Sequence, residues 1–134
     1  MKKVSETISN YFKDQKGIAA VFLFGSYAVD KERHFSDIDI GIVVAHASES
    51  SVRENMDRYL LDLSRILRKD IHITMLNNAS ENLLLQVLKK GQCLVVNNKK
   101  EFSIFKMNGY AKIAGFNYHK KMMQQGFLNS MMEA

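Results

Sequence analysis

The sequence predicts a small α/β domain in which a β-sheet is covered by helices, mainly on one face. Three observations carry that expectation. Short apolar or alternating runs at 19–24, 36–45, 70–76 and 92–96 have the length and composition of strands. Stretches with apolar residues at helical spacing separate most of these runs, so strands and helices alternate along the chain. A Gly25-Ser26 corner closes the first strand, and Asp37 and Asp39 lie in the second, marking one part of the sheet chemically.

In chain order, Val4, Ile8, Tyr11 and Phe12 recur at helical spacing, with Gly17 as a stop. The run 19–24 is too short for a helix and reads as a buried strand. Gly25 then lets the backbone approach a ligand closely, and Ser26 offers a hydroxyl and an amide at the start of a short helical turn, which suits a phosphate. In the polar loop that follows, Lys31, Glu32, Arg33 and His34 either reach a bound triphosphate or form a solvated turn; Arg33 is the one to test.

Strand 36–45 alternates, with Asp37, Asp39, Gly41 and Val43 on one face and Ile38, Ile40, Ile42 and Val44 on the other. The two carboxylates have Cα atoms about 6.5–7 Å apart and converge on one site. Like charges there raise each other's pKa unless a cation lies between them. Hard oxygen ligands favour magnesium or manganese. Gly41, next on that face, leaves room for a ligand.

Ser51-Val52-Arg53-Glu54 has the form of a capping box, and Val52, Met56, Tyr59, Leu60, Leu63, Ile66 and Leu67 trace one face of the helix it opens. The third strand places Asp70, His72 and Thr74 on one face and Ile71, Ile73 and Met75 on the other. Residues 80–90 form a helix with Leu83, Leu84, Val87 and Leu88 inward, ended by Gly91 before the last strand. Cys93 lies in the apolar stretch Cys93-Leu94-Val95-Val96 and reads as a buried, inert thiol. From about residue 100 to 134 the pattern is largely helical but broken, with Phe102, Phe105, Ile113, Phe116 and Phe127 as anchors. Met122, Met123, Met131 and Met132 add an adaptable apolar surface suited to packing or to docking a partner. His46 and His119 have no partner at metal-ligand spacing and read as surface residues.

The 134 residues predict one domain, and 46% apolar with 25% charged residues is ordinary for a globular protein. No run approaches the ~20 apolar residues of a membrane span. The N-terminus has no apolar signal region, so a cytoplasmic location is expected. The single cysteine excludes an internal disulfide framework. A net charge of +5 is compatible with nucleotide phosphates, nucleic acid or an acidic partner, and most of the basic residues are explained by solvated faces.

Gly25-Ser26, ten residues, then Asp37-Ile38-Asp39 resembles the signature of the polymerase-β-like nucleotidyltransferase superfamily, and the length is similar to its minimal, MntA-type antitoxins. Leu76-Asn77-Asn78-Ala79, the helix after it and Lys90-Gly91-Gln92-Cys93-Leu94 extend the resemblance over most of the chain. The resemblance implies a mixed sheet and binding of ATP with two magnesium ions, the phosphates at Gly25 and Ser26 and the metals at Asp37 and Asp39. It also implies AMP transfer to a protein hydroxyl on a HEPN-type ribonuclease toxin. The family usually has a third carboxylate on the third strand, where this sequence has His72, with Asp70 two residues earlier on the same face. Four readings stay open: Asp70 substitutes, His72 acts as base or ligand, the site transfers poorly, or His72 sits at a solvated edge without a role. A second class of function is therefore kept beside the enzyme, a binding module that masks its partner. An RNA binder ranks last, because aromatic residues interleaved with basic ones are not evident on a strand. A homo-oligomer is left open.

Overall fold

The computed structural model describes residues 2–25 and 37–133, and for residues 2, 116–120 and 122–133 the backbone alone. Four strands, β1 (Ile18–Phe24), β2 (Ile38–Val44), β3 (Ile71–Met75) and β4 (Gln92–Val96), form one mixed sheet in the order β3-β2-β1-β4. β1 is antiparallel to both β2 and β4, and β2 is parallel to β3. The helices are α1 (Lys2–Phe12), α2 (Glu49–Leu67), α3 (Glu81–Lys90) and α4 (Lys99–Glu133). The parallel pairing of β2 and β3 requires a crossover, and α2 supplies it.

Helices cover both faces of the sheet rather than mainly one. On one face, Ile8 and Phe12 of α1 and Val52, Tyr59 and Leu63 of α2 pack on Val21, Leu23, Ile38, Ile40, Ile42 and Val44. On the other, Leu84 and Val87 of α3 and Phe105 of α4 pack on Ala20, Phe22, Phe24 and Val43. The physical reason is in β1, every residue of which is buried: a strand apolar at consecutive positions needs cover on two sides. The broken pattern after residue 100 concealed the second cover. Phe102 and Phe105 of α4 nevertheless lie with ring centroids 5.8 and 6.4 Å from that of Phe22.

A local signal sets the start of α3 but not that of α2. Ser80 caps α3, its Oγ accepting from the Leu83 N–H at 3.3 Å. The capping box expected at Ser51 does not form. A short 3-10 turn, His46–Ser48, runs directly into α2, which starts at Glu49 and carries a Glu49–Arg53 ion pair of 3.1 Å in its first turns. Cys93 is exposed rather than buried, because β4 is an edge strand. Among the described residues no helix is long and apolar enough to cross a membrane.

Two asparagines tie the sheet to its connections. The Asn97 side chain donates to the carbonyls of Phe12 and Ile18 at 2.8 and 3.0 Å, joining the end of α1 to the start of β1. Asn77 accepts from the Val44 N–H and donates to the Val44 carbonyl, both at 2.8 Å, and so closes the C-terminal end of β2. Asn77→Ala leaves both of those part-buried backbone groups unpaired. It should lower the free energy of urea unfolding by about 1–3 kcal/mol, whereas an exposed, solvated contact would show almost no change.

Candidate active site

The site grows from the junction of three strands. Phe24, the last residue of β1, pairs with Asp39 near the start of β2. The chain leaves β1 at Gly25 with φ +74°, a left-handed conformation that favours glycine. A Cβ on Gly25 would run into the Asp39 carboxylate, so a side chain is excluded there by space as well as by backbone conformation. In the parallel register His72 lies opposite Asp39, which places them on one face of the sheet. Asp37, exposed just before β2, has its Oδ2 3.0 Å from Nε2 of His72.

Electrostatics follow from this packing. Burial raises the pKa of Asp39 above its ordinary value, the neighbouring Asp37 charge raises it further, and His72 acts in the opposite sense. Asp39 senses the Asp37 charge, as the alternation of the strand implies.

Asp70 joins the arrangement through its backbone: its carbonyl accepts from the Ile38 N–H at 3.0 Å, and its side chain is exposed. Of the two third-strand candidates, His72 makes the side-chain contact with the Asp37 carboxylate. Ser26 and Arg33, together with Lys31, Glu32 and His34, lie outside the described residues.

Gly41 does not leave room for a ligand. Leu76, fully buried, fills the space over it, and a Cβ at Gly41 would stand 2.7 Å from Leu76 Cδ1. The absent side chain serves packing two residues from Asp39. Nothing short of the tertiary structure distinguishes that from space for a ligand. A separate cleft of about 370 Å³ lies by Val43, Val44, Leu76 and Asn77, beyond the opposite end of β2, and His46 is on its wall.

The donor set suits a hard divalent cation. Among the described residues no three His, Cys, Asp or Glu side chains are grouped so as to hold a metal. Two carboxylates are nevertheless what magnesium commonly takes from a protein, the remaining positions being filled by water and substrate phosphates. The raised pKa of Asp39 beside a second carboxylate is also the strain that a cation relieves.

The Gly25 turn thus stands against the Asp39 carboxylate, with the Asp37–His72 pair beside it on the mixed sheet. Residues 6–100 match the family model described as Polymerase beta, Nucleotidyltransferase, and the chain belongs to that family. No curated protein matches it. Among solved structures, a chain in a crystal structure of a toxin–antitoxin with AMP-PNP is similar at 22% identity and a TM-score of 0.64, covering 96% of this chain and 98% of that one. A chain in a crystal structure of the toxin–antitoxin MntA-HepT is similar at 20% identity and a TM-score of 0.59, covering 98% and 99%. A third, from a tri-AMPylated Shewanella oneidensis HEPN toxin in complex with MNT antitoxin, is similar at 20% identity and a TM-score of 0.59, covering 98% of each chain. At these identities the likeness is one of fold.

Proposed function

We propose that this chain is a nucleotidyltransferase antitoxin that transfers AMP from ATP to a hydroxyl, a tyrosine in the first instance, on a HEPN-type toxin. The observation that carries this reading is the packing of the Gly25 turn against Asp39, beside Asp37 and His72. The solved relatives supply the direction: one holds AMP-PNP and one an AMPylated HEPN toxin.

In this mechanism Gly25 and Ser26 receive the triphosphate, with Arg33 as a further contact, and the fixed turn orients the α-phosphate for in-line attack. Asp37 and Asp39 would hold magnesium or manganese. When bound, the metal neutralises phosphate charge and lowers the pKa of an attacking hydroxyl. Asp37 and His72 form a hydrogen-bonded pair at the rim, where the acceptor approaches. His72 holds the orientation of the Asp37 carboxylate, and Asp70, two residues before His72, is a further candidate carboxylate. Pyrophosphate leaves as the acceptor oxygen bonds to the α-phosphorus.

The His72–Asp37 contact also favours a second reading, a weakly catalytic antitoxin that neutralises its partner by covering it, since imidazole is a poorer magnesium ligand than carboxylate. Incubation of the purified protein and a HEPN-type toxin with labelled ATP, under magnesium and then manganese, decides between them. Label on the toxin that disappears in Asp37→Ala supports the transferase. Toxin neutralised by wild type and Asp37→Ala alike, with no label under either metal, establishes masking.

A further inference from the structure

β3 is the edge strand of the described sheet beyond β2, and its His72 reaches the candidate site through the contact with Asp37. The Asp70 carbonyl accepts from the Ile38 N–H, so by the alternation of a parallel ladder His72 and Thr74 turn their backbone groups toward β2. Ile71, Ile73 and Met75 therefore turn their N–H and C=O groups outward, where no other described strand pairs with them. A groove of about 320 Å³ follows this edge. It is lined by Met56, Asp57 and Leu60 of α2 and by Ile71, His72, Ile73 and Thr74 of β3, so residues from both faces of the strand contribute and its α2 wall carries one carboxylate. Leu60 is 38% exposed within it. Exposed edges are usually blunted or covered because they template strand addition.

We propose that this edge is the acceptor-docking site: an extended segment of the partner protein adds to β3 as a fifth strand and presents its hydroxyl side chain beside His72 and Asp37. This rests on the transferase reading above and deepens it by naming the substrate as an extended backbone rather than a folded surface. Two features argue for that occupant. Outward backbone donors and acceptors at Ile71 and Ile73 are satisfied by another backbone, which a helix cannot offer. The period of two then matches the groove: a residue whose side chain lies on the His72 face has neighbours that point to Met56, Leu60, Ile71 and Ile73. An added strand lies about 4.8 Å from β3, within reach of His72 for a tyrosine side chain. The preferred acceptor is therefore apolar–hydroxyl–apolar.

The test uses the full chain with ATP and magnesium and a blocked peptide, Thr-Val-Tyr-Val-Thr, at millimolar concentration. Amide hydrogen exchange is followed by nuclear magnetic resonance and AMP transfer by mass spectrometry. Exchange at Ile71 and Ile73 should slow by about tenfold or more with peptide, and N-methylation of one alternate set of peptide amides, not the other, should weaken binding about fivefold or more. Leu60→Lys, at an exposed groove wall, should weaken binding without altering the fold. Unchanged exchange at Ile71 and Ile73 overturns the proposal, including when the peptide is still AMPylated, an outcome that leaves the transferase reading standing. Slowed exchange with no AMP transfer to the seated tyrosine overturns the edge as the acceptor site and leaves the transferase reading to the labelled-toxin experiment. Slowing that grows with protein concentration in the absence of peptide assigns the edge to a second copy and overturns the proposal.

Discussion

Asp39→Asn should lower AMP transfer from ATP by about a hundredfold to a thousandfold, the loss usual when one preorganised charge is removed from a phosphoryl-transfer site. The same substitution should not cost stability in EDTA at neutral pH. Burial and the Asp37 charge raise the folded-state pKa of Asp39 above the ordinary 3.8, so the folded protein holds that proton more tightly than the unfolded chain does. The associated stability is fully present below 3.8 and is lost as pH rises through the raised folded-state value. Asparagine suffers no such loss. Urea unfolding of the two proteins should therefore diverge, with the variant the more stable near neutrality and the difference shrinking toward the acid end. Magnesium should then stabilise the wild type and not the variant, because an ion that binds only the folded state shifts unfolding by mass action. A variant less stable than wild type at neutral pH in EDTA would show that the carboxylate has a favourable partner outweighing its burial.

The part of the site readable from sequence is the part governed by strand period. Alternation from Asp37 to Val44 puts Asp39 on one face and Ile38, Ile40 and Ile42 on the other, and the structure keeps that division. The same rule places His72 on the face of Asp39 and Ile71, Ile73 and Met75 against α2, which the parallel register realises. Gly25 was legible because a glycine ends an apolar strand, although its contact with Asp39 was not. What sequence left hidden depends on pairs of residues far apart in the chain. Asn97 reads only as a turn residue and Asn77 only as part of the Leu76-Asn77-Asn78-Ala79 resemblance, yet each clamps backbone from a distant element. Cys93 sits in an apolar run, and only the strand order reveals that the run lies at an edge. The long α4 was obscured by its interior glycines, whose cost to a helix is offset by packing on α3 and the sheet, where Phe105 is buried.

Gly41 and Leu76 should prove to be a single packing unit that supports the strand carrying Asp39, and this is where the largest loss of stability is expected. Leu76 has no exposed surface, and its Cδ1, Cδ2 and Cγ atoms all crowd the position a Cβ would take on Gly41, at 2.7, 3.0 and 3.0 Å. Leu76→Ala removes that filling and should cost about 2–5 kcal/mol in urea unfolding. Gly41→Ala forces the opposite fault, overpacking, and should cost about 1–3 kcal/mol. The two defects have opposite volumes at one place, so their effects should not add. The double variant should be more stable than the sum of the single changes predicts by about 0.5–3 kcal/mol. Gly41 shares its face with Asp39 two residues away, so overpacking there should also reduce AMP transfer in folded protein, and Leu76→Ala in the same chain should restore part of it. Additive losses in both stability and transfer would mean that the leucine moves aside freely and that Gly41 is needed for something other than the close approach of Leu76.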